Sequence, residues 1–259
     1  MSTARGPRRA TLHAHGADRS AVLTVVNVGG GLARPADDRA LAAVCRVLGE
    51  AAGAQPIVVV PGGGEFTDAV RDAGRRFALR SATAHRMALL AMDQFGCLLG
   101  DLIPDAVLCP SVTRARDEAE SGRAAILLPA EQLAYDGTLP DSWALSSESI
   151  AVWVAGVLGG ARALLITAAD ARLADDWSPG AAPAARVSAS ELAALHAGGA
   201  GASADADMPR ALHAAGVDAR VVSGRDPDRL LQLLRAGEMT GTQLTPAAEE
   251  RELRRRAPP

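Results

Sequence analysis

The chain has 259 residues, is 48% apolar but only 3% aromatic, and carries a formal net charge of −3. That charge gives no general attraction to nucleic acid or an acidic membrane surface, and no uncharged apolar run approaches the roughly 18 residues of a bilayer span. All 27 basic residues are arginine, so any chemistry that needs an ammonium from the protein must find another donor.

Residues 1–20 read as a polar, flexible leader with Arg5, Arg8 and Arg9 and without the apolar segment of a secretory signal. Val22–Val28 is a continuous apolar run, as expected of a strand covered on both faces, and it ends in Gly29-Gly30-Gly31. Pro35-Ala36-Asp37-Asp38 then opens a helix predicted to run to about Ala52. Ile57–Val60 repeats the pattern as a second buried strand, followed by Pro61-Gly62-Gly63-Gly64. Consecutive glycines after a buried strand let main-chain N–H groups crowd round an anion at the start of the next helix. Neither triplet fits G-x-x-x-x-G-K-[ST] or G-x-G-x-x-G, so a P-loop is excluded.

Helices are predicted at Glu65–Leu79, with Glu65 and Asp68 in the first turn, and at Thr83–Leu102. On the second helix a capping role is expected for His85 and a solvated or intersubunit one for Asp93. Short strands follow at Val107–Cys109 and Ala125–Leu128. Ser146-Ser147-Glu148-Ser149 caps a helix to about Leu158, and Ala163–Thr167 is another buried strand. From Ala168 to Asp207 the pattern fades except for a helical patch at Ser190–His196. It returns as a helix at Met208–Ala215, a strand at Ala219–Ser223, a helix at Pro227–Ala236 and an extended piece at Thr240–Leu244. Residues 247–259 form an arginine-rich tail.

Strands alternating with helices predict an α/β fold, a three-layer αβα sandwich with a mainly parallel central sheet spanning residues 21–246 as one domain. Ligands on such sheets collect at the carboxyl ends of the strands, where both triplets fall. The three cysteines, Cys45, Cys97 and Cys109, sit among apolar residues without C-x-x-C spacing, which predicts buried free thiols and a reducing cytoplasm. The histidines show no ligand spacing, so no metal site is expected.

The strand–Gly-Gly start, Pro61-Gly62-Gly63-Gly64-Glu65-Phe66, the Thr167 strand end and Gly241-Thr242 together resemble the amino acid kinase superfamily. Ala84–Gly96, Asp141-Ser142-Trp143 and Ser146–Ser149 are similar to the branch that phosphorylates an aminomethyl-furan alcohol phosphate toward methanofuran-type one-carbon cofactors. The resemblance implies ATP and Mg2+, with Gly29, Gly30, Gly31, Thr167 and Asp170 on the nucleotide side. It implies Gly62, Gly63, Gly64, Ser147 and Glu148 on the side of a small-molecule acceptor. Glu65, Asp68 or Glu148 is a candidate to receive a substrate ammonium.

Asn27 stands where the family has a lysine, Gly31 where it has a serine, Ala168 where it has an aspartate and Ala171 where it has a glycine. Arg34 and Arg162 are candidates to replace the missing charge. Asp175 and Asp176 are weighed as further partners of a nucleotide's magnesium or ribose. Two functions follow: an ATP-dependent kinase, or a catalytically impaired ligand-binding or assembly subunit. The family resemblance also implies a homo- or hetero-oligomer with a kinase-fold chain, without nucleic-acid or membrane partners.

Overall fold

Apolar runs with no polar interruption are stable only where both faces of a strand are covered, and here they form the middle of a sheet. In the computed structural model the described residues are 22–136, 146–159, 161–168, 186–197, 206–236 and 241–246. Its eight strands are β1 (Thr24–Val28), β2 (Ile57–Pro61), β3 (Val107–Cys109), β4 (Ala125–Leu127), β5 (Arg162–Thr167), β6 (Arg186–Ser188), β7 (Ala219–Ser223) and β8 (Thr242–Thr245). They lie in the order β3-β4-β2-β1-β5-β7-β8-β6. The first six positions are parallel. β8 pairs antiparallel with β7, and β6 pairs parallel with β8, so these two strands run against the rest at one edge.

The helices are α1 (Asp38–Ala52), α2 (Gly64–Phe77), α3 (Ser81–Leu102), α4 (Val112–Glu120), α5 (Pro129–Asp136), α6 (Ser147–Val157), α7 (Ala189–Ala197), α8 (Met208–Ala215) and α9 (Pro227–Ala236). Alternate strand residues feed two cores, as the pleat requires. Val26, Val28, Ile57, Val59, Leu164 and Ile166 pack with α1, α9 and the second half of α3. Val25, Val58, Val60, Ala163 and Leu165 pack with α4, α6 and α8. Helices on both faces make this the three-layer architecture the strand–helix alternation predicts. α3 contributes Leu89 and Met92 to one core and Phe95 and Leu99 to the other. It does so by passing close over the sheet: a Cβ on Gly96 would meet the Leu128 side chain at 2.8 Å and Pro61 at 3.3 Å.

Three elements escaped the sequence pattern. α4 buries Val112, Ala115 and Ala119 on one face, but alanines among charged residues carry too little apolar signal to show a period. Its Glu118 is also buried and pairs with Arg114 and Arg123. α5 is a short helix that the sequence pattern left unassigned. β6 buries only Val187 and exists through its pairing with β8. Cys45 and Cys109 are buried free thiols as expected, whereas Cys97 is exposed on the outer side of α3. Burial raises the Cys45 thiol to about 12, which makes it unreactive at neutral pH. No helix among the described residues is long and apolar enough to cross a membrane.

Candidate active site at the carboxyl rim of the sheet

β1 and β2 are hydrogen-bonded neighbours, and their register sets Val28 beside Pro61, so the two glycine turns leave the sheet at the same level. The Gly29 N–H donates to the Ile166 carbonyl at 2.9 Å, and the Gly62 N–H donates to the Val28 carbonyl at 2.8 Å. The turns then touch through their main chains. A Cβ on Gly30 would lie 2.9 Å from the Cα of Gly64, and one on Gly62 would lie 2.9 Å from the Cα of Gly30 and 3.0 Å from the Val28 oxygen. Glycine is needed at 30 and 62 because two backbones meet there. At Gly64 the reason is different: φ is +53°, and that left-handed residue swings the chain into α2.

The two triplets, which the family resemblance assigns to a nucleotide side and an acceptor side, therefore meet at one place on the rim. Gly30, Gly31, Gly63 and Gly64 share one cavity of about 240 Å³. Its other walls are Arg34, then Thr67, Asp68 and Arg71 of α2, His85, Ala88 and Met92 of α3, and Ser146, Ser147 and Glu148 at the start of α6. Two helix N-termini point into this space, and their partial positive charge favours an anion. Ser146 caps α6, its Oγ accepting from the N–H groups of Glu148 at 3.2 Å and Ser149 at 3.3 Å. No side chain caps α2.

The charges are unevenly paired. Asp68 accepts from Arg34 at 3.3 Å and from Arg71 at 2.7 Å. Glu148 accepts from the Ser147 hydroxyl at 3.0 Å, and among the described residues no arginine forms an ion pair with it. Two guanidiniums and one carboxylate meet on one wall, with an uncompensated carboxylate on the other.

Asn27 is fully buried in β1; its Nδ2 donates to the Val60 carbonyl at 3.1 Å, and its Oδ1 has no partner among the described residues. Neutral and outside the cavity wall, it brings no charge to the rim. Gly29 and Gly62 sit behind the wall as spacers. Thr167 also lies outside it, its carbonyl accepting from the Gly224 N–H at 2.8 Å. Glu65 is exposed on the outer side of α2 and does not line the cavity, although it directly follows the triplet. Asp170, Asp175, Asp176, Asp141–Trp143, the leader and the tail fall outside the described residues.

His85 does not cap α3, which begins at Ser81; it is buried at the cavity wall. Asp93 is not simply solvated: half-buried, its Oδ1 accepts from the Ala130 N–H at 3.1 Å and so caps α5. Arg162, a candidate for the missing charge, is ruled out by position. It begins β5, at the opposite rim, where its Nε donates to Thr24 Oγ1 at 2.9 Å and its NH2 to Gln55 at 3.1 Å. Thr67, Arg71 and Ala88 are wall residues the sequence reading passed over, although Gly64, Thr67, Asp68 and Arg71 follow the three- and four-residue spacing of a single helix face.

Burial raises the Asp93 carboxyl above its ordinary range, with Glu131 adding to the rise and the Ala130 N–H opposing it. A carboxyl whose folded pKa is raised contributes stability below its unfolded pKa and loses it as pH climbs through the folded one. Asp93→Asn keeps an oxygen for Ala130 and removes the titration. The variant should match the parent in urea at pH 3 and resist urea modestly better at pH 7. A variant weaker than the parent at pH 7 would show instead that the cap needs the charge.

The amino acid kinase family matches residues 22–223. Over 181 residues the chain is 28% identical to a [5-(aminomethyl)furan-3-yl]methyl phosphate kinase of Methanocaldococcus jannaschii, an alignment covering 69% of this chain and 78% of that one. Among solved structures, the uridylate kinase of Archaeoglobus fulgidus superposes with a TM-score of 0.68 at 17% identity, covering 86% of this chain and all of that one. The aspartate kinase of Synechocystis superposes with a TM-score of 0.63 at 16% identity; 86% of this chain is covered, and it spans 40% of that longer protein. At those identities the two structures speak to the fold alone.

Proposed function

Because the chain belongs to the amino acid kinase family, we propose that it transfers the terminal phosphoryl group of ATP to a small acceptor bearing both a phosphate and an ammonium, in the synthesis of a methanofuran-type one-carbon cofactor. One observation carries this reading: both glycine turns open into a single cavity with arginines on one wall and a lone carboxylate on another. A relative whose acceptor is an aminomethyl-furan methyl phosphate supports the acceptor class.

In this reading Gly30 and Gly31 hold the phosphates of the nucleotide. The free N-terminus of α2 holds the acceptor's anionic group, and Glu148 receives its ammonium. An acceptor oxygen forms the new bond to phosphorus as the bond to the bridging oxygen breaks, releasing ADP. The protein's part is to align these oxygens and to neutralise their charge. Mg2+ supplies further neutralisation when bound. No group of three His, Cys, Asp or Glu side chains among the described residues forms a cage for it, and Asp170, outside them, would help hold it beside the nucleotide phosphates.

The tests are nucleotide binding by the purified chain and acceptor-stimulated ADP release across a panel of small phosphates. Glu148→Gln is expected to raise the KM of an amine-bearing acceptor about tenfold, the order of a lost charged hydrogen bond. A neutral hydroxymethyl analogue should be unaffected, and equal effects on the two would remove the ammonium role. A second reading is favoured by Asn27, which puts no charge where the family lysine stands: a ligand-binding or assembly subunit pairing with a second kinase-fold chain. Absence of nucleotide binding, together with a stable complex with such a chain, would select it.

A further inference from the structure

We infer that Arg34 supplies at the glycine cradle the positive charge that residue 27 lacks; the inference rests on the kinase reading above. Arg34 directly follows the tight 3-10 turn Gly30–Ala33, so its side chain springs from the same segment that forms the cradle. Its main chain is anchored, because its carbonyl accepts from the Asp37 N–H at 2.8 Å. Asp37 is itself buried and gripped by Arg225, with Nε at 3.0 Å and NH2 at 2.9 Å from the same carboxylate oxygen. The base is thus fixed while the side chain is 62% exposed and free to change partners.

Its present partner is weakly committed. Asp68 binds Arg71 at 2.7 Å within the same helix and Arg34 at 3.3 Å from outside it. An entering phosphate group takes Arg34, leaving the Asp68–Arg71 pair intact and neutral, so one net positive charge moves onto the ligand. Arginine does this in fork geometry rather than as the point charge of a lysine. Arg162, the other candidate, is committed at the far rim.

The experiment uses inorganic pyrophosphate as the binding probe, read by calorimetry, alongside acceptor-stimulated ADP release. It compares the parent with Arg34→Gln, Arg34→Lys, Asn27→Lys and the double variant Asn27→Lys/Arg34→Gln. Arg34→Gln is expected to weaken pyrophosphate binding at least tenfold and to lower kcat about a hundredfold, the usual effect of removing one pre-organised charge donor. Arg34→Lys should recover part of both. The double variant should recover binding, because the charge is resupplied from the strand that leads into the cradle. A parent that binds no pyrophosphate, or an Arg34→Gln variant that binds and turns over like the parent, overturns the inference. Turnover in the parent untouched by Arg34→Gln would leave the kinase reading standing without it. Tenfold weaker pyrophosphate binding with no turnover of any acceptor would keep Arg34 as the charge donor and remove the kinase reading.

Discussion

Alanine at Gly62 is expected to destabilise the protein by about 3 kcal/mol or more, at the upper end of what overpacking a well-packed interior costs. The added methyl would run into the backbone of Gly30 and approach the Val28 carbonyl, from which it would sit 3.0 Å away. None of these atoms belongs to a flexible side chain that can step aside. β1 and β2 would have to part at the rim, disturbing the hydrogen bond from Gly62 to Val28. Gly30→Ala meets Gly64 in the same way and should behave alike. Gly74→Ala in α2 is the control, because nothing lies within 4 Å of its Cβ. There the gain should be roughly 0.5–1 kcal/mol, the usual advantage of alanine over glycine inside a helix. Urea denaturation of the three variants separates them. If Gly62→Ala were as stable as the parent, the two turns would not be interlocked and the shared cavity would lose its foundation.

At position 27 the expected effects have opposite signs. Asn27→Asp places a carboxylate where no solvent reaches and where the nearest polar neighbour is the Val60 carbonyl, an acceptor that repels it. A loss of several kcal/mol at pH 7 is expected, since an unpaired buried charge has no compensation. The folded pKa of the new carboxyl must rise above its unfolded value of about 3.9. Its stability contribution is therefore intact below that value and lost as pH rises, so Asn27→Asp should recover toward the parent in acid. Asn27→Leu removes an oxygen that has no partner among the described residues together with the Nδ2 bond to the Val60 carbonyl. It is expected to gain about 1 kcal/mol, the relief of a buried unsatisfied group less the lost hydrogen bond. Thermal melts of both variants at pH 4 and pH 7 give the result. Stabilisation by leucine with loss of ligand binding would mean that Asn27 is kept for function at the expense of the core.

The strands at Thr24–Val28, Ile57–Pro61, Arg162–Thr167 and Ala219–Ser223 were legible because each is built round a local cluster of apolar, mostly β-branched or leucine residues. The same holds for α3 and α6, whose helical period and serine cap are properties of neighbouring residues. α4 and β6 were not legible, since alanine-lined or three-residue elements take their stability from partners elsewhere. The site divides along the same line. Gly63, Gly64, Ser147 and Glu148 follow from a turn and a cap and were readable from the chain. Asp93 capping α5, Asp68 held by Arg34, and Arg162 facing the wrong rim join residues 34 or more positions apart, and no local pattern encodes them.

By itself the sequence determined the fold class, the two glycine turns and the neutral residue at position 27, because each is written in a few adjacent side chains. Only the tertiary structure decided that β1 and β2 are neighbours in level register, which fuses two turns into one cavity with Arg34 on its wall and Arg162 at the far rim. The reason is geometric: strand order and the direction of a side chain at a strand end depend on how distant segments stack, and every residue between them leaves that choice open.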